Sequence, residues 1–329
     1  MGKKNTLHKT SVGGQALMEG VMMNGPKGAA ISVRHVNGEI VTEINEVKHV
    51  KDKVKFLGLP FVRGIVNFIE SMAVGYKSLM RSVELSGLLE EDEKADMSKL
   101  DRWLSDHLGP KVFNFLTIVS SVLVAAVCIV LFFWAPTFFV DLIDGKLLNN
   151  AIADFHPLFE GIIKMIIVTI YMLAVSQMKE IKRVFMYHGA EHKSIFCYEK
   201  GLELNVENVR TCKRFHPRCG TSFIFIVLIT SVIVSSLTVI IFPVLNSPDY
   251  RLIWTAVKML AILPVVTGIS YELIKYAGRH DNFITKIFSA PGLLMQRITT
   301  KEPTDDMIEV AIASIKAVIT DNPEDDKLQ

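Results

Sequence analysis

The stretch YHGAEHKS sets His188, Glu191 and His192 in the order H-x-x-E-H. On a helix, residues four apart stand on one face, so the two imidazoles can share a metal ion while Glu191 projects beside them. A carboxylate in that position can serve as general base toward water, the arrangement of the inverted zincins. Catalytic zinc commonly takes three protein ligands and keeps a further position open, so the pattern demands a third donor. The segment RTCKRFHPRCGTS offers His216 and Cys219, and SYELIK offers Glu272. Imidazole suits zinc, which favours His216, with Cys219 and Glu272 as alternatives. Arg218 is placed to stabilise developing negative charge. The cofactor expected is a divalent metal, Zn2+ before others.

Plainer readings compete with this one. A histidine pair four residues apart also occurs without metal and can hydrogen-bond Glu191 or lipid phosphates. Cys197, Cys212 and Cys219 together with His188, His192 and His216 could build a closed structural site, although their spacings match no zinc-finger pattern. A second candidate is GGQALMEGVMMNGPKG around Glu19. Its small residues suggest backbone fitted tightly against something, as a loop folded onto a membrane bundle sooner than a binding element. It matches no Walker or dinucleotide fingerprint.

The elements that must position these groups are set by lipid. Half of the 329 residues are apolar and the mean hydropathy is +0.34, which points to a membrane protein. Four stretches are apolar and long enough for about 30 Å of hydrocarbon: Val112 to Ala135, Ile162 to Ser176, Phe223 to Leu245 and Leu252 to Tyr271. The loop between the second and third (177–221) carries Lys179, Lys182, Arg183, Lys193, Lys200, Arg210, Lys213, Arg214 and Arg218. Short cytoplasmic loops are enriched in Lys and Arg, so this loop and both termini are expected in the cytoplasm, with the chain multi-pass in the cell membrane. A net charge of only +2 gives no reason to expect a nucleic-acid partner. The first residues, MGKKNTLHKT, lack the apolar run of a signal peptide.

The fold class expected is mainly α: a polytopic membrane bundle of about four helices, with a small cytoplasmic α+β region (1–110), the transmembrane region (111–276) and a C-terminal tail with an amphipathic helix (277–329). Within 29–47, Asn37-Gly38 between two β-prone runs predicts a hairpin with a type I′ turn. Phe61 to Leu85 shows helical spacing of apolar residues, so an amphipathic helix is expected there, packed on the bundle or lying in the membrane interface. EEDEKAD reads as a solvated linker, and Ser289 to Thr300 as a second interfacial element. Thr304, followed by Asp305 and Asp306, predicts an N-cap for MIEVAIASIKAVIT, and DNPEDDKLQ a disordered tail.

GGQALMEGVMMNGP, LPFVRGIVNFIESM, YHGAEHKSIFCYE, HPRCGTSF and ISYELIK, in that order, closely resemble the motifs of the YqhQ family of bacterial membrane proteins, a domain-of-unknown-function family. The resemblance covers Gly13 to Thr320. It implies a membrane location and a metal-dependent enzyme whose reaction is undefined. Glu19, His188, Glu191, His192, His216, Arg218, Cys219 and Glu272 fall on its motifs.

These readings lead to a zinc-dependent membrane hydrolase with its site at the cytoplasmic face, acting on a membrane peptide or a lipid-linked molecule. The alternative is a non-enzymatic membrane factor that binds partner proteins in membrane-protein assembly or quality control. A transporter ranks third, because the spans carry little charge and no repeated half.

Overall fold

The computed structural model describes residues 9–45, 59, 62–88, 110–149, 151–152, 155–246, 250, 257, 261–280, 282–320, 322 and 325–326. The chain forms two compact units, one from residues 1–88, 172–226 and 267–329, the other from 89–171 and 227–266.

The first unit is built on a four-stranded antiparallel meander: β1 (Gly13–Leu17), β2 (Gly20–Gly25), β3 (Gly28–Arg34) and β4 (Ile40–Asn45). Successive residues of a strand point to opposite faces, and here both faces are covered. Val21, Met23 and Ala30 pack against Tyr187, Ala190 and Ile195 of helix α5 (Lys179–Glu199) and against Ile308, Ala311 and Ile315 of helix α10 (Asp305–Val318). On the other face Leu17, Met22, Ile31 and Val33 meet Leu79 and Leu85 of helix α1 (Val62–Ser86). The two central strands, buried on both sides, therefore read as apolar runs without alternation, while the edge strand β4 stays partly exposed.

Several expectations are corrected here. The glycine-rich segment around Glu19 is not a loop but the β1–β2 hairpin. The turn at Asn37-Gly38 exists, yet five residues separate the paired ends Arg34 and Ile40. Gly38 alone takes a positive φ, of 91°, so it is not a two-residue type I′ turn. Thr304 occupies the N-cap of α10 without a side-chain cap bond, and the helix is core: Met307, Ile308, Val310 and Ala311 are buried. The 289–300 segment belongs to a longer helix, α9 (Phe283–Thr299). The expected disordered tail lies outside the described residues except for Asn322, Asp325 and Asp326, and Asp326 is buried and accepts from the Thr10 hydroxyl at 2.7 Å. The acidic linker at 90–96 also lies outside them.

The other unit holds most of the apolar helix. Among the described residues, three helices are long and apolar enough to cross a membrane: Ile118–Leu147, His156–Val175 and Gly220–Ile241. The first comprises α2 (Pro110–Ile129), a π-helical turn at Val130–Trp134 and α3 (Ala135–Leu147). Pro136 has no N–H to donate, and the wider turn just before it absorbs that loss. The second is α4 and the third α7. Ile118, Val122, Leu123 and Val124 are each more than 60 % exposed, a surface suited to lipid. Inside the unit Thr137 donates to Glu160 at 3.0 Å, and His156 Nε2 lies 2.7 Å from Asp144. Of the fourth expected span, residues 252–256 and 258–260 lie outside the described residues, and Leu263 to Tyr271 form the first part of helix α8 (Leu263–Arg279).

Candidate metal centre

Helix α5 opens after Met178 with Glu180 in its first turn, complementing the helix dipole. Tyr187, Ala190 and Ile195 anchor one face in the core. That fixes the rotation of the helix and directs His188, Glu191 and His192 to one place. A strap from the end of α9 crosses the helix at Gly189: a Cβ there would lie 2.0 Å from the Lys301 carbonyl oxygen, and the Lys301 N–H donates to Phe185 O at 2.8 Å.

This crossing has a chemical result. His188 Nδ1 lies 2.8 Å from Thr299 O, and His192 Nδ1 lies 2.5 Å from Arg214 O. A carbonyl only accepts, so each Nδ1 carries the hydrogen and donates it. In the tautomer with its hydrogen on Nδ1, such a ring presents a bare Nε2 lone pair. His188 Nε2 is 3.2 Å from Cys219 Sγ, and Glu191 Oε2 is 3.9 Å from His188 Nε2 and 3.5 Å from His192 Nε2. The donor atoms of His188, His192 and Cys219 lie within 4.8 Å of one another. Zinc bonds of about 2.0–2.3 Å in a tetrahedron require donor separations of about 3.3–3.8 Å. The set therefore has the donor chemistry of a zinc site, with the 3.2 Å between His188 and Cys219 close to that separation and the 4.8 Å limit of the set wider than it. Thr221 donates its N–H to Cys219 Sγ at 3.4 Å, which holds the sulfur in place.

Glu191 is buried, and burial pushes its carboxyl up to about 7, opposed by His188 and by the Gly14 N–H. Gly14 is the exposed member of β1, and a Cβ there would lie 2.6 Å from Met22 O and 2.9 Å from Glu191 Cγ. The close approach of strand to carboxylate requires glycine. Gly14→Ala is expected to cost about 1–3 kcal/mol through overpacking and to displace Glu191, read as a lower melting temperature together with weaker metal retention.

The other candidate residues sit elsewhere. His216 stands behind His192, with ring centroids 5.6 Å apart, and its Nε2 faces Glu199 at 3.7 Å. Burial pulls its pKa down to about 4 although Glu199 works against it. Arg218 donates to Glu199, and to Thr10 O at 3.0 Å. Burial alone would raise Glu199, yet His216 and Arg218 hold it below the usual carboxylate range. Glu272 lies apart from the histidines, in a bidentate pair with Arg63 beside a cavity of about 510 Å³ that Tyr276 and His280 also line. The third donor brought to His188 and His192 is therefore Cys219 and not His216 or Glu272. Glu19, at φ 50° in the β1–β2 turn, accepts from Arg183 Nε at 2.6 Å and from Tyr187 OH at 3.3 Å, tying the hairpin to α5. The tight backbone fit expected of the glycines around Glu19 is found at Gly14, against Glu191, whereas sequence reasoning passed over Thr221 and the two carbonyls that orient the imidazoles. Backbone acceptors leave no trace in residue types.

Comparison with known proteins gives two matches. A family model described as "Protein of unknown function (DUF1385)" matches residues 59–321. The "Uncharacterized protein YqhQ" of Bacillus subtilis (strain 168) is 36 % identical over 311 residues, covering 93 % of this chain and 92 % of that protein. No solved structure matches the chain.

Proposed function

Since the chain belongs to the DUF1385 family, whose description assigns no reaction, we propose from the site itself that it is a zinc-dependent hydrolase of the cell membrane. The observation that carries this reading is the pair of Nδ1–H donations to Thr299 O and Arg214 O, which leave both Nε2 atoms beside Glu191, that of His188 also 3.2 Å from Cys219 Sγ. His188, His192 and Cys219 would hold the ion, and zinc there supplies Lewis acidity. Glu191, raised by burial to about 7, is suited to take a proton from water near neutral pH. The Gly14 N–H holds its carboxylate in place. Arg218 is engaged with Glu199 and acts as a positioning residue for the loop that carries Cys219. The basic residues of 177–221 support a site at the cytoplasmic face, in a reading with four spans and both termini cytoplasmic. The substrate is then a membrane peptide or a lipid-linked molecule.

One observation favours a second reading. The side chains of Glu191 and His192 are only 5 % and 2 % exposed, which suits a closed site with Glu191 as fourth ligand, in a non-enzymatic membrane factor that binds partner proteins.

Metal analysis tests the common ground. Elemental mass spectrometry of the detergent-purified chain is expected to find about one zinc per chain, within the stoichiometry of a single tetrahedral site. The His188→Ala, His192→Ala double variant is expected to have none. A wild-type chain that holds no metal after zinc is supplied and loose ions are washed away overturns the hydrolase and the closed metal site, and favours a partner-binding factor without metal.

A further inference from the structure

Helix α1 carries many of its large apolar residues on the outside, while Leu79 and Leu85 pack on the sheet. The residues it buries are Gly64, Gly75, Ser78, Ser82 and Ser86. Gly75 meets the Gln15 side chain, and the Ser78 hydroxyl points at Met22 Sδ, 3.1 Å away. Phe68, Ile69, Met72, Tyr76 and Met80 remain between 40 % and 66 % exposed. At 3.6 residues per turn these five lie within an arc of about 120°. Arg63, Glu70, Lys77, Arg81 and Glu84 fall outside it, on a separate strip. The helix thus has three faces: small residues toward the protein, large apolar residues outward, and charges beside them.

What covers the apolar face is indicated by what it joins. Phe68 packs against Phe223 with ring centroids 5.6 Å apart, and Phe223 lies in the first turn of α7, one of the helices apolar and long enough to cross a membrane. Gly64 lets the start of α1 close onto Gly268 and Tyr271 of α8, and Asn67 donates to Tyr271 OH at 2.7 Å. The exposed stripe is therefore continuous with the surface of a candidate span. Helix α9 shows the same inversion: Phe283, Ile287 and Leu294 are exposed on one face while Ser289, Gln296 and Thr299 are buried.

We infer that α1 is a lipid-binding helix which lies in the membrane interface and sets Phe68, Ile69, Met72, Tyr76 and Met80 among acyl chains, with its charged strip toward the headgroups and water. An amphipathic helix of this kind buries its apolar face about 5–10 Å deep at the headgroup boundary. The inference rests on the membrane placement of the spans and is independent of the metal reading.

The test is photocrosslinking of the full chain reconstituted in phosphatidylethanolamine and phosphatidylglycerol vesicles. One p-benzoylphenylalanine replaces Met72, Lys77 or Val122, and adducts are identified by mass spectrometry in variants that keep the wild-type melting temperature. Position 72 is expected to yield lipid adducts in amounts comparable to position 122, and position 77 none. Lipid adducts at 122 but not at 72 overturn the role of α1 and leave the membrane reading intact. Adducts from 72 to a second copy or another protein overturn it in favour of a protein interface, and equal lipid adducts at 72 and 77 remove its sidedness. Absence at both 72 and 122 overturns the α1 proposal and the membrane placement together.

Discussion

Glu191→Gln is expected to keep the zinc and abolish the reaction. The amide has the carboxyl's shape and still accepts the Gly14 N–H, but it cannot take a proton. Loss of a general base costs about 10²–10⁴-fold in rate. Because Glu191 is buried and its carboxyl is already raised toward neutrality, the neutral amide should leave thermal stability unchanged or improved. With the substrate class open, the readout is comparative. Membranes of cells carrying the variant in place of the wild type are profiled by lipid and peptide mass spectrometry, and a species that accumulates uncleaved is the expected result. Unchanged profiles with the metal retained would remove the hydrolase reading and leave the closed site. Loss of metal in the variant would instead make Glu191 a ligand.

The second large effect is expected at Arg218→Ala. Glu199 is 5 % exposed, and its charge is compensated by Arg218, His216 and the Thr10 N–H. Removing one partner of a buried pair leaves an uncompensated charge and costs about 3–5 kcal/mol, read as a large fall in melting temperature, with Arg218→Lys recovering part of it. The pH dependence gives the sign. In the wild type Glu199 lies below its ordinary pKa, so it contributes stability that is present above the unfolded value of about 4.3 and lost as pH falls through the folded value. Without the guanidinium, burial dominates and the carboxyl rises, so the variant loses stability as pH increases. The gap between the two proteins should therefore be smallest near pH 4 and widest near pH 7. A gap independent of pH would mean that Arg218 acts through packing alone.

The H-x-x-E-H pair was legible because helical spacing alone determines that His188 and His192 meet. The third donor was not. His216 and Cys219 lie on one loop, and the choice between them is made by Gln296, which clamps the main chain of His216 from both sides, accepting from its N–H and donating to its carbonyl at 2.7 Å each. The imidazole is thereby turned to Glu199 and the thiol to His188. The β1–β2 hairpin escaped notice for a different reason. Val21, Met22 and Met23 are consecutive and all buried, so period-two alternation, the usual mark of a strand, is missing. In α1 the apolar stripe was plain, but its direction was not, because glycine and serine do the packing.

The hydroxyl of Ser314 donates to Val21 O and Ala30 O, 293 and 284 residues away in sequence, as α10 closes one face of a sheet made at the other end of the chain. Translation runs from the N-terminus, at about 5–20 residues per second, so the strands emerge long before their cover exists. Until Ile315 has emerged, Val21, Met23 and Ala30 have α5 to pack against but not α10. The same interval keeps the strap that orients His188 from crossing α5. A nascent chain can therefore place its apolar helices in the bilayer before His188 is held in its final orientation, and any chemistry at that site begins only once the strap is in place.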